Sequence, residues 1–226
     1  KHISDCPGNF IDIGANHGQA AISILANTDH LKVISFEPNP SHWLPLTVLK
    51  WIYRGRFKFR IVALGDIDGS ALLNMPVHLE SDLSGSATLK PEELRKSYVW
   101  TRFRDETRQK NPEIEIESET ISIQKLDTLD LLVDVLKIDV EGFEHEVLAG
   151  AHQTIAAQKP ALVIEINDPD SWMPGLEKLG YAFFRVDESQ AANLIRVNRP
   201  GGFINLIALH PGSTSMISQK LFAVAD

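Results

Sequence analysis

Phe10-Ile11-Asp12-Ile13-Gly14-Ala15-Asn16-His17-Gly18 is the stretch whose reading decides the fold of this chain. An apolar run carrying a single acid ends in a turn with glycine on both sides. The pattern reads as a buried strand that passes into a helix N-terminus. A second apolar run, residues 33–36, then ends at Glu37. That order suits a sheet that holds an adenosine-containing cofactor at its carboxyl edge. The glycines let backbone approach the ligand, the helix N-terminus supplies amide donors, and the acid accepts from ribose hydroxyls.

Outward from this stretch, strand and helix signals alternate. Helical spacing over residues 18–25 puts Ala21, Ile22 and Leu25 on one face. Pro38 and Pro40 punctuate the chain before a helix expected over residues 43–52. Residues 57–64 read as a third strand, stopped by Gly65-Asp66-Ile67-Asp68-Gly69. Residues 133–140 form a fourth apolar strand, residues 143–151 a helix, residues 161–166 a fifth strand and residues 171–179 another helix. The β-rich runs 181–186 and 203–209 suggest an antiparallel edge pair. Apolar strands alternating with helices imply a doubly wound α/β domain, mostly parallel, covered on both faces, with an antiparallel strand near the C-terminus.

Size and composition agree with one domain spanning residues 1–226. Hydrophobic content of 43% and charged content of 23% are those of a globular chain. A formal net charge of −8 disfavours nucleic acid as a partner. The single cysteine, Cys6, excludes an intrachain disulfide, argues against a thiolate zinc site, and fits a reducing compartment. No apolar run reaches the roughly 18 residues of a membrane span. A cytoplasmic location is expected, with the start at Lys1 leaving room for a removed segment.

One segment breaks the rhythm. Residues 78–113 are polar and hold Gly85, five basic residues (Arg95, Lys96, Arg102, Arg104, Arg108) and the aromatics Tyr98, Trp100 and Phe103. Insertions this long are often lids or binding elements, although a solvated helix packed on the core accounts for it equally well. It is the expected seat of substrate selectivity.

The turn discriminates between cofactors. A dinucleotide fingerprint needs glycine at its first, third and sixth positions, and here Asn16 and Gln19 stand at the third and sixth. Asp12 would also repel a pyrophosphate. The pattern Asp12-x-Gly14-x-Asn16-x-Gly18 better suits S-adenosylmethionine, which has no phosphate and whose cationic amino-acid portion a carboxylate can face. Ala63 and Leu64 would offer adenine an apolar wall, or else are ordinary core.

Lys137-Ile138-Asp139-Val140-Glu141-Gly142-Phe143-Glu144 is the second strong signal. Alternation sends Lys137, Asp139 and Glu141 to one side, and ionisable groups in a central strand are costly unless paired or functional. A buried ion pair that merely fixes the turn is the simpler alternative. Glu165, Asn167 and Asp168 cluster at the end of the fifth strand. With Asp139 they offer oxygens to a hard cation such as magnesium, but a polar strand end with a helix cap is favoured over a metal. His145 fits a solvated helix face better than a general base.

These segments together resemble the FkbM-type methyltransferases, S-adenosylmethionine-dependent enzymes of the class I fold. The matching stretches are FIDIGANHG (10–18), FEPNP (36–40), VALGD (62–66), LSGSATL (83–89), KLDTL (125–129), LKIDVEGFEHEVLAGA (136–151), KPALVIEI (159–166) and LGY (179–181). The resemblance implies a seven-stranded sheet with its last strand antiparallel, and methyl transfer to a hydroxyl of a sugar or polyketide-like small molecule. It implies that Asp12, Gly14, Ala15, Asn16 and Gly18 form the methionine-side loop, that Glu37 with Pro38 binds ribose, and that Asp139 lies near the cofactor's amino group and methyl. It also implies that Ser84-Gly85-Ser86 brings the insertion over the site. On this reading Asp139 and Glu141 orient or deprotonate the acceptor and Lys137 tunes their charge. The competing readings are a nicotinamide- or nucleotide-sugar-dependent enzyme of related fold, and a cofactor-binding module without activity.

Overall fold

A computed structural model describes residues 5–78, 81–82, 87–94, 115–187, 193–199, 201 and 204–225. The serines and glycine at 84–86, the basic and aromatic residues between 95 and 108, and Phe203 lie outside the described residues.

Twelve strands are described, eight of them in one sheet. In chain order they are β1 (Gly8–Ile13), β2 (Leu31–Glu37), β3 (Phe57–Ile61), β4 (Ala63–Leu64), β5 (Gly69–His78), β6 (Ser81–Asp82), β7 (Glu115–Gln124), β8 (Val135–Ile138), β9 (Ala161–Glu165), β10 (Ala182–Val186), β11 (Leu194–Val197) and β12 (Asn205–Leu209). The helices are α1 (Gln19–Asn27), α2 (Trp43–Ile52), α3 (Pro91–Leu94), α4 (Glu144–Gly150), α5 (His152–Gln158), α6 (Pro169–Lys178) and α7 (Met216–Ala223). The large sheet runs β11-β10-β12-β9-β8-β1-β2-β3. Its parallel core is β3, β2, β1, β8 and β9, and β12 is antiparallel to both of its neighbours.

Alternation along each strand divides the core in two. From β1, Ile11 and Ile13 enter a cluster with Leu136, Ile138, Val147 and Trp172, on the side of α4, α5 and α6. Phe10 enters the other with Val33, Leu25, Leu46, Leu49 and Ile217, under α1, α2 and α7. A sheet covered on both faces needs apolar residues at both parities, which is why β1 reads as an almost unbroken apolar run.

Three expectations are corrected. The large sheet has eight strands, not seven, because Leu194–Val197 folds back on β10 as an extra edge. Nor is the strand over 205–209 an edge: β12 lies between β9 and β10. Residues 57–64 are not one strand. The amide of Val62 donates to the carbonyl of Glu37 at 3.0 Å, and the chain then crosses to a second sheet, where Ala63 and Leu64 pair with Ile123 and Gln124. That sheet, β4-β7-β5-β6, is built around the long antiparallel pair of β5 and β7. Ala63, Leu73, Ile121 and Ile123 form its own small core.

Candidate active site

A cavity of about 240 Å³ opens at the carboxyl ends of β1, β2, β8 and β9, where open α/β sheets bind ligands. Its walls come from both sheets. The large sheet supplies Gly14, Asn16, Glu37 and Glu165, and the small one Ala63, Leu64 and Leu73.

The glycine turn is fixed by backbone. Gly14 and Ala15 both donate to the carbonyl of Phe36, at 3.0 and 3.2 Å. Gly14 has φ +78°, and a Cβ there would overlap the carbonyl oxygen of Asp139. Glycine is required here so that the turn after β1 can pass directly over the end of β8. Asn16, also left-handed at φ +51°, turns its amide onto Oε2 of Glu37 at 2.6 Å. The amide of Asn39 donates to Oε1 of the same carboxylate at 2.8 Å, and Nδ1 of His42 lies 3.2 Å from it. Glu37 is only 5% exposed, so these partners hold its orientation while spare lone pairs face the cavity.

Three carboxylates gather on the opposite side. One oxygen from each of Asp139, Glu141 and Glu165 lies within 4.8 Å of the others. Burial, reinforced by the charges of Asp139 and Glu144, raises Glu141 to about 7. Burial with the charges of Asp139 and Glu141 raises Glu165 to about 8. Close carboxylates cannot all ionise cheaply, which is why Glu141 and Glu165 both hold their protons to higher pH. Glu141 is held at φ +52°, an unfavourable conformation for a residue with a Cβ, and is followed by Gly142 at φ +94°. Beneath this turn, buried Glu144 accepts from the amide of Gly142 at 3.1 Å and from Nδ2 of Asn167 at 2.9 Å. Asn167 also donates to Glu165 at 2.9 Å, tying the ends of β8 and β9 together.

Asp12 does not line the cavity. It is fully buried, where Oδ2 accepts from the hydroxyl of Ser35 at 3.1 Å and Oδ1 lies 3.5 Å from Nζ of Lys137. Lys137 bridges onward to Asp139 at 3.0 Å. Burial raises Asp12 against the opposing pull of Lys137. For Lys137 the two carboxylates overcome burial and hold the ammonium above its usual range. The chain Asp12–Lys137–Asp139 thus carries a fixed charge arrangement from the core to the cavity.

The strand end of the insertion reaches the same place. Ala87, Thr88 and Leu89 line the cavity, and the hydroxyl of Thr88 donates to the carbonyl of Glu141 at 2.8 Å. Lys90 pairs with Glu146 at 2.9 Å and sits over the ring of Phe143.

The structure therefore gathers Gly14, Asn16, Glu37, Pro38, Ala63, Leu64, Asp139 and Glu141 around one cavity. It leaves Asp12, Ala15, Gly18 and Lys137 behind the wall. Gly18, at φ +89°, is where α1 passes Leu49 of α2. His145 lines a separate apolar groove between α4 and α6, its Nδ1 2.9 Å from the carbonyl of Ser171. Asp168 precedes α6, where its carbonyl accepts from Ser171. Sequence reasoning missed His42, Thr88 and the supporting Glu144. Glu144 had one available signal, an acid two residues after the glycine of the turn. Thr88 was marked only by lying in the matching stretch 83–89, and His42 had no signal.

A doubly wound sheet with one antiparallel strand set inside it, and a polar cavity across its carboxyl edge, is the class I methyltransferase fold. Within that class the chain belongs to the FkbM methyltransferases, the model of the methyltransferase FkbM domain matching residues 12–185. It is 27% identical over 203 residues to the methyltransferase sdnD of Sordaria araneosa, covering 78% of this chain and 74% of that protein. The crystal structure of a methyltransferase FkbM from Methylobacillus flagellatus KT is similar with a TM-score of 0.55 at 15% identity. That match covers 89% of this chain and 43% of the solved one, so this chain spans less than half of its length.

Proposed function

We propose that this chain is an S-adenosylmethionine-dependent O-methyltransferase acting on a hydroxyl of a small molecule, of the sugar or polyketide-like class. One observation carries the reading: a cavity with an oriented, buried carboxylate at Glu37 on one wall faces the Asp139, Glu141 and Glu165 group on the other. The carboxylates would repel a pyrophosphate and favour a cofactor bearing a sulfonium and an ammonium. Glu37 would take the ribose hydroxyls, with the Asn16 and Asn39 amides fixing its two oxygens. Ala63 and Leu64 would face the adenine. When bound, the cofactor supplies an already activated methyl group.

What remains for the protein is alignment and a proton. Holding the acceptor oxygen in line with the departing thioether removes an entropic barrier. A group titrating near neutrality is a suitable proton acceptor, and Glu141 at about 7 has that property. Glu165, at about 8, is protonated at neutral pH and can donate to the acceptor or to Asp139. Asp139, braced by Lys137, would orient the hydroxyl.

The test is calorimetric titration with S-adenosylmethionine and S-adenosylhomocysteine, each with magnesium and with a chelator. Micromolar binding of both, indifferent to metal, supports the reading and the protein-borne base. Binding of NADH or a nucleotide sugar in their place would overturn it.

A further inference from the structure

α2 presents apolar side chains on the wrong side. Leu46 and Leu49 are buried against the sheet, as a surface helix requires. Yet Trp43, Leu44, Val48, Trp51 and Ile52 are 54%, 63%, 48%, 68% and 56% exposed. A helix with a second, exposed apolar face belongs inside a larger core or at a water–lipid boundary.

Charge decides what covers this face. From Pro38 to Gly65 the chain carries five basic residues, Lys50, Arg54, Arg56, Lys58 and Arg60, and no acidic one, in a protein of net charge −8. Three of them border this face, Lys50 on α2 and Arg54 and Arg56 in the turn after it, while Lys58 and Arg60 alternate with Phe57 and Phe59 on β3, the edge strand, and so turn to the other side of the sheet. Arg54 sits 5.6 Å from the Trp51 ring and Lys50 5.9 Å from that of Phe59. Among the described residues only Arg56 of the five meets a carboxylate, the exposed Asp29 at 3.3 Å.

We propose that this face docks on an anionic lipid surface, with α2 lying in the interface. Tryptophans at a boundary and a basic rim are what such a surface rewards. A second copy of the chain fits poorly, since a two-fold contact would set the same uncompensated cations against each other. Nucleic acid offers no apolar phase for Leu44, Val48 and Ile52. The remaining negative charge does not prevent docking, because screening confines attraction to groups within about 10 Å of the surface. Attachment is peripheral: among the described residues no helix is long and apolar enough to cross a membrane. α2 begins one residue after His42, a wall residue of the cavity, so docking sets the site close to the lipid.

Flotation of the 226-residue chain with vesicles tests this without cofactor or acceptor, and so independently of the proposed chemistry. The expected result is flotation with vesicles of phosphatidylcholine containing about 30 mol % phosphatidylserine, little with phosphatidylcholine alone, and release at about 0.5 M salt. Trp51→Glu and Leu44→Glu should each abolish it, and Lys50→Glu with Arg54→Glu should weaken it more than about tenfold. All four positions are exposed, so thermal unfolding should confirm that each variant is folded. No flotation of the folded chain overturns the proposal, as does flotation that these variants leave unchanged. Concentration-dependent dimerisation lost in Trp51→Glu, without flotation, also overturns it and assigns the face to a second copy.

Discussion

Asp139 stands between two kinds of neighbour, the buried pair of Lys137 and Asp12 behind it and the carboxylates of Glu141 and Glu165 before it. Asp139→Asn keeps the shape and removes the charge. On the proposed chemistry, turnover should fall by about two to four orders of magnitude, with S-adenosylhomocysteine affinity changed by less than about threefold. Comparing kcat with calorimetric Kd checks this; collapsed binding with surviving single-turnover chemistry would make Asp139 a cofactor ligand only. Glu141 and Glu165 make a second prediction. Both sit in the folded chain well above the ordinary glutamate value of 4.5. Their contribution to stability is therefore complete below that value and is lost as pH rises through about 7 and 8. The thermal midpoint should fall between about pH 5 and pH 8, and Glu165→Gln should flatten that slope. An unchanged slope would mean that Glu165 is not the group being strained. At this scale Glu37, Asp139 and Glu141 were legible because each acid interrupts or ends an apolar run. Asp12 looked the same on paper, but it lies two residues short of the turn, level with Ser35 and Lys137, which meet it inside the sheet, whereas Glu37 and Asp139 stand two residues further along at the carboxyl edge. His42 was illegible, since its role depends on a turn that brings it back to Glu37.

Between elements, the joint that matters is Thr88 to the turn after β8. Its hydroxyl donates to the carbonyl of Glu141 and accepts from the amide of Lys90 at 3.1 Å, so one side chain ties the insertion to the carboxylate group. Thr88→Val preserves the volume and leaves both partners unsatisfied, at a cost of about 1–2 kcal/mol. The thermal midpoint should drop by roughly 2–8 °C, and turnover should fall more than cofactor affinity does. A drop in the midpoint with turnover untouched would make the contact purely structural. The elements of the parallel core could be read directly: β1, β2, β8 and β9 are short apolar runs, and α2 matches its expected span residue for residue. The small sheet could not. From Glu115 to Thr120 both faces of β7 are exposed, so Glu-Ile-Glu-Ser-Glu-Thr shows no apolar face, and β5 carries Pro76 within it. Such strands are specified by pairing with each other, and a single-strand pattern does not contain that information.

For the whole molecule, the insertion leaves and rejoins the framework through one neighbouring pair, Val77 opposite Glu115. Replacing residues 79–114 with a short glycine-containing turn should leave the large sheet folded, by far-UV circular dichroism. It should lower the thermal midpoint, because Ala87 and Leu89 no longer cover the small core. S-adenosylhomocysteine should still bind within about tenfold, since Glu37 and the glycine turn lie outside the deleted segment, while methyl transfer should vanish. Retained transfer would move acceptor recognition elsewhere. The sheet order at the C-terminal side was only half legible, because placing β12 between β9 and β10 depends on which edge is free, and no strand carries that in its own residues.

The register of β1 against β8 also sets a clock. Asp12 lies opposite Lys137, in a strand pair whose members, such as Asn9 and Asp134, are 125 residues apart. During synthesis at about 5–20 residues per second, the first strand is made on the order of ten seconds before its central partner. Throughout that interval the nascent chain holds an apolar strand with one bare edge and an acid with no counter-ion. Until Lys137 is made, β1 has no β8 to pair with and the large sheet cannot close around Asp12.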